Sequence, residues 1–121
     1  MINSFTMKKI FIMLGFLLFL LSGFQNSNMK VKQGETFKIV LESNHSTGYG
    51  WYWENKPEKS IIDSIYVDYK LKSKMLTGSG GNEIWEFKAS HKGEQMIRLV
   101  YKRPWESEAP KGSKEILIKV N

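Results

Sequence analysis

Trp85-Glu86-Phe87-Lys88-Ala89-Ser90 switches from apolar to polar at every step. In an extended chain successive side chains point to opposite faces, so this hexapeptide reads as a strand with one face buried and one in water. Downstream, Ile97, Leu99 and Tyr101 alternate with Arg98, Val100 and Lys102, and Ile116, Ile118 and Val120 close the chain in the same rhythm. Upstream the period holds for Ile65, Val67, Tyr69 and Leu71, for Trp51 and Trp53, and for Phe37, Ile39 and Leu41. Met29 to Lys32 adds a weaker first strand. No window carries the i, i+3, i+4, i+7 apolar spacing of a helix, and Pro57-Glu58-Lys59 predicts one helical turn at most. About seven short strands separated by turn signals predict an all-β fold, an antiparallel two-sheet β-sandwich. Trp53, Trp85 and Phe87 are its expected bulky core members.

The chain of 121 residues is the size of one domain, and its aromatic content of 13% speaks against a disordered tail. Without cysteine it has no disulfide, thiolate metal site or cysteine nucleophile, and two histidines argue against a histidine metal centre. No metal and no cofactor are expected. The net charge of +6 is spread out rather than gathered in a stripe, which argues against nucleic acid as a partner. Lys70, Lys72 and Lys74 share one face of a strand and read as solvated. An enzyme is not expected either: His45 and Ser46 are sequence neighbours, and no acid is evidently placed to orient the histidine. Asp63 and Asp68 are the residues to test for that role.

The first residues belong to a different kind of segment. Met7-Lys8-Lys9 precedes an apolar run from Ile10 to Leu21, followed by Ser22 and Gly23. That is the pattern of an export signal, and the run is short of the roughly 20 residues a spanning helix needs. Residues 1–24 are therefore expected to be a signal peptide, with cleavage between Ser22 and Ser27, and residues 25–121 the domain. A secreted, periplasmic or cell-surface location follows, with membrane contact only through this segment if it is retained.

Loop parity points to a binding end. If each strand reverses the direction of the last, the loops near 43–50, 74–82 and 103–113 share one end of the sandwich. Gly48, Gly50, Gly78, Gly80, Gly81 and Gly112 fall there, against Gly34 and Gly93 at the other end. The same end carries Tyr49, Arg103, Pro104 and Trp105. Arg103 is one of only two arginines, and an arginine and a tryptophan beside a stiff proline have the composition of an interface anchor.

Asn44-His45-Ser46-Thr47-Gly48-Tyr49, Gly78-Ser79-Gly80-Gly81 and Arg103-Pro104-Trp105 resemble, in order and spacing, the three loop motifs of the chagasin-like cysteine peptidase inhibitors. The resemblance covers about residues 29–121. It implies an immunoglobulin-like β-sandwich that reversibly inhibits papain-family cysteine proteases and is monomeric when free. It also implies that the 44–49 loop enters the active-site cleft, with the 77–82 and 103–106 loops on either side. His45 and Ser46 stand where the family usually has proline and threonine. Ser46 keeps the hydroxyl, whereas His45 lacks the ring that would fix φ. An exported β-sandwich module for adhesion or carbohydrate binding, using the same loop end, is the alternative reading.

Overall fold

The computed structural model describes residues 24–73 and 78–121. The signal-peptide reading, apart from its last residue Phe24, therefore lies outside the described residues, as do Lys74 and the first residue of the 77–82 loop. Seven strands form: β1 (Phe24–Val31), β2 (Thr36–Ser43), β3 (Gly50–Trp53), β4 (Ile62–Leu71), β5 (Gly81–Ala89), β6 (Gly93–Lys102) and β7 (Gly112–Val120). They build a four-stranded sheet in the order β1-β7-β6-β3 and a three-stranded sheet in the order β2-β5-β4.

The alternation around Trp85 sets the core. β5 lies between β2 and β4, pairing Ile39 with Trp85 and Phe37 with Phe87, so the apolar faces of neighbouring strands coincide. Ile39, Leu41, Trp85, Phe87 and Ala89 meet Ile97, Leu99, Ile116, Ile118 and Val120 from the other sheet in one buried cluster. Phe87 is fully buried, with Phe37 and Trp85 stacked near it. Trp53 is only partly buried and packs its ring edge-on against Phe87, at the border of the core rather than inside it.

Two strands differ from the sequence reading. β1 is longer than expected, runs parallel to β7 and is the one parallel pairing among the described strands. β4 slips register between Ser64 and Tyr66. It is also an edge strand, covered by a neighbour on one side only, so Ile65, Val67 and Leu71 stay exposed while Ile62 at its start is fully buried. Residues 57–59 make no helix, within the limit of one turn read from the sequence, and a short 3-10 turn lies at His45–Thr47.

The predicted loop parity is directly visible. Asn44 Nδ2 donates to Gly78 O at 3.0 Å and Arg103 Nε donates to Thr47 O at 2.8 Å, so the β2–β3, β4–β5 and β6–β7 connections meet at one end.

Candidate functional site: three loops at one end

The 44–49 loop is a turn built by its own side chains. Asn44 is extended and caps the turn, its Oδ1 accepting from Ser46 N–H at 3.2 Å and from the Ser46 hydroxyl at 2.5 Å. Short polar side chains favour this position because they satisfy amides that the first turn leaves open. The Thr47 hydroxyl donates back to Asn44 O at 2.6 Å, and Gly48 N–H closes the turn on His45 O at 3.1 Å. Gly48 then reverses the chain at φ +83°. A Cβ there would lie 2.5 Å from Trp105 Cη2, so any other residue would strain the backbone and push the exposed indole aside. His45, Ser46 and Thr47 are all exposed at the tip.

The loop is also pinned from below. Asn44 N–H donates to the Tyr101 hydroxyl at 2.9 Å, and Tyr49 stacks on the Tyr101 ring at 5.2 Å. Arg103 lies over the Tyr49 ring at 4.4 Å, bonds Thr47 O and pairs with Glu106 at 3.0 Å. Its guanidinium is thus committed within the molecule. Arg103 ties two loops together, whereas Trp105 is 69% exposed.

The glycine-rich loop divides similarly. Gly80 and Gly81 are buried, and Gly81 is the first residue of β5, paired with Ser43 on one side and Leu71 on the other. A Cβ at Gly81 would sit 2.3 Å from Lys70 O, so this glycine lets two strands close on β5 and presents nothing outward. Gly78 and Ser79 are the outward members, and Gly78 lies beside Ser46. Asp63 and Asp68 are remote from His45 in role: Asp63 accepts from the Ser90 hydroxyl and Asp68 from Tyr69 N–H.

Sequence reasoning missed the groups beneath the turn. Glu83 is a buried carboxylate, 4% exposed, that accepts from Trp51 N–H at 3.1 Å and Trp85 Nε1 at 3.2 Å and bonds His45 Nε2 at 3.0 Å. The signal was available: two positions before Trp85, Glu83 shares the inward face of β5, where a charge has to find partners. Tyr69 is the other, stacked on the His45 ring at 3.7 Å.

Comparison with known proteins bears on the family and the fold. Residues 30–120 match the family described as chagasin family peptidase inhibitor I42. The chain is 32% identical to chagasin of Trypanosoma cruzi over 82 residues, covering 65% of this chain and 74% of chagasin. It is 29% identical to amoebiasin-1 of Entamoeba histolytica over 96 residues, 79% of this chain and 90% of the relative. Among solved structures, the cysteine protease inhibitor EhICP2 of Entamoeba histolytica superposes with a TM-score of 0.68 at 21% identity, covering 81% of this chain and 97% of that one. PbICP-C, solved in complex with falcipain-2, superposes with a TM-score of 0.58 at 23% identity over 80% and 89% of the two chains. With three adjoining loops on a seven-stranded sandwich and a family match over nearly all of it, the chain belongs to the chagasin family of peptidase inhibitors.

Proposed function

We propose that this protein inhibits papain-family cysteine proteases reversibly and without covalent chemistry. The 44–49 loop fills the catalytic cleft, while the 77–82 and 103–106 loops flank it. The observation that carries this reading is the presentation of the turn. Ser46 and Thr47 sit exposed at its tip with their hydroxyl protons donated inward to Asn44; Thr47 Oγ1 also accepts from Tyr49 N–H at 3.4 Å, and each oxygen keeps capacity to accept a further bond. A papain-type cleft holds a thiolate beside an imidazolium, and an imidazolium N–H is a donor that seeks such an oxygen. The same turn is closed on itself by the His45–Gly48 bond, so it does not offer the extended peptide that a protease cleaves.

Trp105 supplies apolar area beside the turn at little entropic cost, having few torsions to freeze, and Pro104 stiffens its approach. Three loops together are suited to bury about 1,600 Å², the usual size of a protease–inhibitor interface. The complex of PbICP-C with falcipain-2 shows a fold neighbour engaging a protease and supports the same partner class here. Export, read from the N-terminal segment, would place the inhibitor outside the cytoplasm with proteases of that compartment.

Titration into papain with a fluorogenic peptide substrate tests the reading. Saturable inhibition is expected, with the inhibitor recovered uncleaved and inhibition lost when Ser46, Thr47 and Trp105 are changed together to alanine. No inhibition of papain or of a panel of cathepsin-like enzymes would overturn it.

A further inference from the structure

His45 has two ways to serve the turn it belongs to: its ring can face the protease, or it can face the scaffold. The contacts decide for the scaffold. The ring lies flat on Tyr69, 3.7 Å between centroids and 17° between planes. Its Nε2 meets Glu83 Oε2 at 3.0 Å, and its backbone N–H donates to the Tyr69 hydroxyl at 3.4 Å. That hydroxyl in turn donates to Ser43 O at 3.2 Å. Glu83 is itself immobilised by Trp51 N–H and Trp85 Nε1 on two different strands. One loop residue is therefore held at its backbone N–H, at one face of its ring and at Nε2, by side chains of β4 and β5.

We propose that His45 is a positioning residue, locked between Tyr69 and Glu83 so that the backbone of residues 44–48 is set before a protease arrives. This rests on the inhibitor reading of the same loop. It assigns to a side-chain clamp the restraint that a proline at this position would impose through its ring. Proline fixes one torsion covalently; here a buried carboxylate and a stacked phenol restrict the same stretch through the imidazole. The gain is of the same kind, because flexibility removed in the free inhibitor is not lost on binding. Glu83 and Tyr69 then act on inhibition through His45, from beneath the exposed tip.

The test combines inhibition of papain with amide hydrogen exchange of Ser46 to Gly48 in the free protein. His45→Ala is expected to weaken inhibition about tenfold and to speed exchange, in line with the loss of a preorganising contact. His45→Pro is expected to restore both to within about twofold of the original protein, because it replaces one restraint by another. Glu83→Gln should weaken inhibition in the original background and not in His45→Pro, a non-additivity that general damage to the fold would not give. The proposal is overturned if His45→Ala changes neither readout, if His45→Pro is as weak as His45→Ala, or if Glu83→Gln costs the same in both backgrounds. Should the original protein not inhibit papain at all, the inhibitor reading fails by itself, and hydrogen exchange still decides whether His45 holds the turn.

Discussion

The two ends of this sandwich are held together by different chemistry. At the end away from the three loops, main-chain bonds join the connections, beside side-chain ties such as Ser90 to Asp63 and Ile61 N–H to Gln95. Gly34 N–H donates to Ala89 O, Ala89 N–H to Glu35 O, Ser90 N–H to Ile61 O and Gln33 N–H to Asn121 O. At the other end the contacts between connections are made by side chains: Asn44 to Gly78, Arg103 to Thr47, His45 to Glu83 and Tyr69, and Tyr49 to Tyr101. Main-chain bonds are available to almost any sequence, whereas side-chain ties depend on particular residues. One end thus has a main-chain framework beneath its side-chain ties, while the shape of the other rests on side chains that substitution can tune.

The largest effect expected from this contrast is at Gly81. Gly81→Ala drives a Cβ to 2.3 Å from the Lys70 carbonyl oxygen, and backbone cannot move aside as a side chain can. A loss of about 3 kcal/mol in chemical denaturation is expected, at the upper end for overpacking. Gly34→Ala at the opposite end meets nothing within 4 Å and is strained only by its φ of +90°, so about 1 kcal/mol is expected. Equal costs would erase the distinction.

Next comes Trp105→Ala. The side chain is exposed, so stability should hardly change, while inhibition weakens by about 2 kcal/mol, as at interface hot spots. An unchanged inhibition constant would remove Trp105 from the anchor role. Arg103→Lys should have a smaller effect. Lysine has no Nε–H fork to reach Thr47 O while lying flat on Tyr49, so a loss of about 1 kcal/mol in inhibition is expected with the melting temperature nearly unchanged. The smallest effect belongs to Gln33→Ala. It deletes one side-chain bond to Ser90 O and keeps the main-chain bond to Asn121, so both stability and inhibition should move by less than about 0.5 kcal/mol.

The same contrast explains what could be read from the letters. Period-two alternation is a local signal, so β5, β6 and β7 were legible, and loop parity follows from reversal of direction alone. The exposure of Ile65, Val67 and Leu71 was not legible, because it depends on β4 lying at a sheet edge, a matter of strand order. At the site, Asn44 to Tyr49 and Trp105 stand out by composition. The inward commitment of Arg103 does not, since its partners Thr47 and Tyr49 lie more than 50 positions away. Glu83 was half legible: alternation places it on the inner face, but only the folded chain supplies Trp51 and His45 as its partners.

The parallel pairing of β1 with β7 ties the edge of one sheet to the three-loop end. Phe24 stands opposite Ser113, just after the connection that carries Trp105, so the described chain enters the sandwich at the same end as the three loops. Among the described strands β1 is paired with β7 alone, so the start of that pairing borders the segment from which Trp105 projects. An edge strand thereby becomes a brace for a loop it never touches in sequence: loosening the first residues of β1 would be felt at the exposed indole before it reached the core.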